Sequence, residues 1–187
     1  MTAAPAGTTE VSAAADFVTS ILLGGDGAST PPEAELIFYG QPVDAPAEAK
    51  LVIRPSGFLD AAQSGSGVVP ELPLATEEGC PVLFGREGRE SSHGRVVLNN
   101  DLIAGAYFLL TRYEELLRPE ARDEHGRFTA SESLHGRAGL LDRPIVDEYG
   151  LLVRSLLRDA GATMPETPDQ LRSISLTHDM DRPFLWH

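Results

Sequence analysis

Three side chains near the end of the chain, His178, Asp179 and Asp181, are the best equipped for chemistry. Two carboxylates on alternate positions divide labour well when one ligates a divalent cation and the other takes a proton from a bound water. Such a water already ionises near neutrality, so the base chiefly fixes geometry. The preceding Ser173-Ile174-Ser175-Leu176 alternates polar and apolar residues and reads as a short half-buried strand. Parallel sheets display ligand and catalytic groups at the carboxyl ends of their strands, so residues 177–181 read as the start of a site. Its other half is expected beyond His187. The competing reading is a polar turn, because D-x-D triplets are common in loops.

The run Ile174-Ser175-Leu176-Thr177-His178-Asp179-Met180-Asp181 resembles the first motif of the polysaccharide deacetylases, the NodB-like carbohydrate esterases. In that family the motif most often reads Thr-Phe-Asp-Asp-Gly and closes the first barrel strand. The resemblance extends upstream, through Asp101-Leu102-Ile103, Tyr107-Phe108-Leu109-Leu110-Thr111-Arg112-Tyr113-Glu114-Glu115, Asp123-Glu124-His125-Gly126-Arg127-Phe128 and Pro144-Ile145-Val146-Asp147-Glu148-Tyr149. These runs are similar to an uncharacterised domain that precedes the catalytic barrel in one bacterial branch. The resemblance covers roughly residues 35–187. It implies a metal-dependent hydrolase that removes acetyl groups from N-acetylated sugars, with zinc as the expected metal and an acetylated polysaccharide as the expected partner. Asp179 matches the catalytic base and Asp181 the metal-binding aspartate.

Two departures bear on those roles. Met180 separates acids that the common motif places side by side, and His178 stands where an aromatic residue is usual. The family's His-x-x-x-His metal pair is absent from the sequence. The chain is therefore expected to be an accessory N-terminal domain followed by the first catalytic motif, without activity of its own. One alternative is a nucleotide-sugar transferase that uses Asp179 and Asp181 as a metal-diphosphate D-x-D. No glycine-rich strand-to-helix turn is present to serve it. The other is a non-catalytic module that binds a glycan or a protein.

Further candidates lie upstream. Arg112 and Glu115 stand at helical spacing, and Asp123, His125 and Arg127 could join them in an ionic network. Buried charges are mostly paired, so this network reads first as a device that holds a loop and only second as a ligand site. His93 and His135 sit beside glycines in loops and are assigned no role. Cys80 is the single cysteine and reads as an inert core residue.

Composition narrows the partners. The chain has 187 residues, 42% hydrophobic and 23% charged, which suits a folded domain with a core. Its 28 acids against 15 bases give a net charge of -13, which disfavours nucleic acid and anionic membrane surfaces. No stretch is apolar enough for membrane insertion, no basic leader is visible, and the cytoplasm is the expected location.

The hydrophobic pattern implies an α/β or α+β domain, with a small mixed sheet, two long amphipathic helices, an N-terminal helix and a closing strand, which the resemblance makes the first strand of a truncated deacetylase barrel. Residues 1–32 read as a flexible tail with one helix over 11–23, whose face is Ala14, Phe17, Val18, Ile21 and Leu22. Residues 33–163 form the accessory domain and 164–187 the linker and closing strand. Strands are expected over 35–39 and 50–53, and 60–80 reads as a long loop. A hairpin pairs 82–84 with 95–98 through a polar turn at 86–94. One helix follows Asn99-Asn100-Asp101, with Leu102, Ala106, Leu109, Leu110, Tyr113 and Leu117 along its apolar face. The second starts at Asp142-Arg143-Pro144, with Asp142 as its cap, and closes at Gly161. Ser64-Gly65-Ser66-Gly67 lacks the lysine and helix of a phosphate-binding loop.

Overall fold

A computed structural model describes residues 6–165 and 175–177. Helix α1 spans Ala6–Leu22, followed by a 3-10 turn at Pro32–Leu36 and strands β1 (Ile37–Tyr39) and β2 (Leu51–Ile53). Helix α2 (Phe58–Gln63), the hairpin strands β3 (Ala75–Glu77) and β4 (Cys80–Val82), and strands β5 (Gly85–Ser92) and β6 (Arg95–Asn100) come next. Four helices complete the order: α3 (Leu102–Leu110), α4 (Tyr113–Leu117), α5 (Leu134–Arg137) and α6 (Ile145–Asp159). The result is the mixed α+β fold that the sequence pattern implies.

The main sheet runs β1-β2-β6-β5, with β1, β2 and β6 parallel and β5 antiparallel to β6. Leu51, Val52 and Ile53 are fully buried, as a central parallel strand requires. Leu51, Ile53, Val96 and Leu98 face a helical layer in which α1, α3 and α6 pack on one another. Gly150 permits the closest approach there, since a Cβ on it would stand 2.7 Å from the Leu22 carbonyl oxygen. A second focus of packing is aromatic: Phe58 stacks on Phe84 at 4.0 Å between centroids, and the Phe108 and Tyr113 rings meet Phe58 edge-on.

Several sequence expectations need correction. The helix expected in the tail starts at Ala6 instead of residue 11 and packs into the core, with Ala15, Val18, Leu22 and Leu23 buried, whereas Phe17, placed on its buried face, is 45% exposed. The expected loop at 60–80 carries most of α2 and the β3–β4 hairpin. The polar turn expected at 86–94 is mainly strand, and only His93 and Gly94, both at positive φ, make the turn. The first long helix breaks after Leu110, because Arg112 adopts a left-handed conformation at φ 52. That turn redirects the chain, buries Glu114 and leaves Leu110 exposed. Asp142 does not cap α6; Pro144 occupies the cap position without a side-chain hydrogen bond. Tyr149, Leu152 and Leu156 are buried as that helix's stripe requires, and Gly161 turns the chain at φ 80.

Candidate functional site

Asp179 and Asp181, with His178, lie outside the described residues. Ser175, Leu176 and Thr177 carry no regular structure and are exposed, Leu176 to 88%, which corrects the half-buried strand at Ser175 and Leu176.

The upstream network is described in full, and it divides in two. Arg112 pairs with Glu115, whose other oxygen lies 3.7 Å from the Arg122 guanidinium. Arg122 also donates to the Glu115 carbonyl at 3.3 Å and covers the Phe128 ring at 5.1 Å from its centroid. Asp123 serves a separate turn. One oxygen accepts from the backbone amides of His125 (2.9 Å) and Arg127 (2.8 Å), and the other from Arg127 Nε at 3.0 Å. The Arg127 amide foremost holds this carboxyl below the usual range. Among the described residues the His125 ring pairs only with Glu124, at 3.5 Å.

Sequence reasoning placed Glu114 on this helix beside Arg112 and Glu115 but gave it no partner, and it is the residue that does most. Glu114, 6% exposed, accepts from the Leu134 amide at 2.6 Å and from Arg137 at 2.9 Å, with Arg118 at 3.5 Å. Arg118 in turn holds Glu132 and its carbonyl. One carboxylate thus joins α4 to α5 and closes the loop between them. The only available signal was its place inside Arg112-Tyr113-Glu114-Glu115, where the straight helix suggested by periodicity would have turned it outward.

Asp101 forms a second junction, at the carboxyl end of the parallel strands. It is fully buried, and its Oδ1 caps α3 through the Ala104 amide at 3.0 Å. Its Oδ2 accepts from the Ser56 amide at 2.7 Å, beyond β2, and from the Tyr39 hydroxyl at 3.0 Å, on β1. Burial pushes the Asp101 carboxyl above its usual range against these bonds, and burial beside Asp101 raises the Tyr39 phenol. The neighbouring Asn100 side chain is buried with neither amide atom partnered among the described residues. The strand ends that usually display a ligand are here occupied by protein.

Open space lies elsewhere. A cavity of about 480 Å³ is walled by Leu72, Leu74, Pro81, Leu140, Arg137 and Arg143. It adjoins one of about 410 Å³ through the shared Leu72 and Arg137. Arg143 is braced by Glu148 and by the Gly79 carbonyl, and Tyr149 by the Pro81 carbonyl at 2.7 Å, so the first wall is firmly set. Cys80 lies behind it, 6% exposed, with burial raising its thiol. Among the described residues no three His, Cys, Asp or Glu side chains gather as a metal site would require.

The fold and these junctions define a small α+β domain whose buried charges tie loops and helices to one sheet. Residues 27–161 match the family of unknown function DUF7033, and the chain belongs to that family. No curated protein and no solved structure matches it.

Proposed function

We propose that this chain carries the accessory domain of a polysaccharide deacetylase-like hydrolase, placed ahead of a catalytic region that opens with Asp179 and Asp181. The observation that supports this reading is the use made of the upstream motif charges. Glu114, Glu115, Asp101 and Asp123 spend their oxygens on Arg112, Arg122, Arg127, Arg137 and backbone amides, which is the work of a rigid support. The resemblance of residues 174–181 to the first deacetylase motif adds the chemistry. On this reading Asp181 would help hold zinc, and Asp179 would act as base toward the attacking water in the whole enzyme. The described residues supply no ligand set for that zinc.

The test measures acetate release from acetylated chito-oligosaccharide with zinc. Residues 1–187 alone are expected to release none, the product of the gene's entire reading frame to release it, and Asp179→Asn in that product to abolish it. Release by residues 1–187, or an inactive full product, would overturn the proposal.

A further inference from the structure

At the amino end of the parallel strands, opposite the Asp101 junction, the structure leaves a cavity of about 460 Å³ lined by Ala47, Ala49, Lys50, Ser92, His93, Gly94 and Arg95. The lining contains three basic residues and no acid, in a chain whose acids outnumber its bases 28 to 15. Lys50, the chain's single lysine, enters at the start of β2. Its Nζ lies 3.8 Å from where a Cβ on Gly94 would stand, so the ammonium leans over the β5–β6 turn. Among the described residues neither Lys50 nor Arg95 is paired with a carboxylate. Most other arginines of the fold are spent on Glu or Asp partners.

Arg95 is held in place by carbonyl groups. Its Nε donates to Ala49 at 2.9 Å, and one Nη to Pro46 at 2.6 Å and Ala47 at 3.4 Å. That engagement uses the fork edge with which arginine grips a planar carboxylate, and leaves the second Nη. His93 Nδ1 lies 2.6 Å from the Ser92 hydroxyl; in the tautomer in which Nδ1 accepts that hydrogen bond, or in the protonated ring, Nε2 carries a free N–H. Single donors from three side chains suit the three oxygens of a tetrahedral phosphate better than the two of a carboxylate.

From this arrangement we infer that the cavity is a binding site for a small phosphate monoester, with Lys50, His93 and Arg95 around the phosphate. The space exceeds what a bare phosphate fills and is of the order of sites for small polar ligands. The Ser92 hydroxyl and the small Ala47, Ala49 and Gly94 in the lining leave room for a compact hydroxylated body such as a sugar. The inference does not depend on the deacetylase reading.

Calorimetric titration of the chain with glucose 6-phosphate, inorganic phosphate and glucose, at low ionic strength, tests it. Glucose 6-phosphate is expected to bind at one site, glucose not at all, and Lys50→Gln and His93→Asn each to weaken binding about tenfold, which is about 1.4 kcal/mol. Asparagine is chosen at 93 because it tolerates the positive φ there. Thermal melting of both variants should match the parent, which separates a lost site from a lost fold. Equal affinity for inorganic phosphate would assign the free ion, and weaker binding of it would assign the ester; either upholds the site. Absence of saturable binding, equal binding of glucose, or indifference to both substitutions would overturn it.

Discussion

Asp101 spends both carboxylate oxygens inside the protein, and a substitute must replace three hydrogen bonds at once. Asparagine keeps the size but turns one acceptor into a donor facing the Ser56 amide or the Ala104 amide. We expect Asp101→Asn to cost about 2–4 kcal/mol in urea unfolding, from a lost cap or tie and an unsatisfied buried amide. The cost should depend on pH in a stated direction. Because burial raises this carboxyl, it contributes most stability below its unfolded pKa and loses that contribution as pH rises through the folded one. The gap between parent and variant is therefore expected to be wider near pH 4 than at pH 8, and a gap that widens toward pH 8 would contradict the assignment. Asp101 was visible in the sequence as a cap ahead of an apolar run. Its ties to Tyr39 and Ser56 were not, because they join residues 62 and 45 positions apart, and no local pattern encodes such separations.

Elements were legible where burial imposes a period. Helix α6 has Tyr149, Leu152 and Leu156 buried at helical spacing, and β2 is apolar throughout. Strand β5 offered no such sign, since all eight of its residues are exposed and it is held by pairing with β6. The break between α3 and α4 was hidden for another reason: an arginine at positive φ is a choice made by packing, with a local cost of about 1–2 kcal/mol. That choice brings Glu114 inward. Glu114→Ala would leave the Leu134 amide and the Arg137 guanidinium without their acceptor, and is expected to cost about 3–5 kcal/mol. Hydrogen exchange should report the loss first between residues 129 and 141. A second element-level expectation concerns α1, whose Leu22 carbonyl leaves no room for a methyl group at position 150. Gly150→Ala should lower the melting temperature by several degrees, from about 1–3 kcal/mol of overpacking.

Across the whole molecule, charge is distributed unevenly. The excess of acids should make the folded state self-repelling, so added monovalent salt is expected to raise the melting temperature through screening. The same salt should weaken any anion held at Lys50, so stability and binding are expected to move in opposite directions along one titration. Composition spoke against broad anionic surfaces as partners but could not reveal this local reversal of sign. It arises only when β2 and β6 pair in register and set residues 50 and 95 side by side at the amino end of the strands. The candidate deacetylase acids stand apart from this account, because they were read from a motif and lie beyond the described part of the chain.

Buried Arg154, on α6, donates to the Leu23 carbonyl at the end of α1 and, at 3.5 Å, to the Pro165 carbonyl where the chain leaves the domain. A single guanidinium therefore clasps the first helix to the exit. Loosening the amino-terminal helix would therefore slacken the hold on Pro165, far along the sequence.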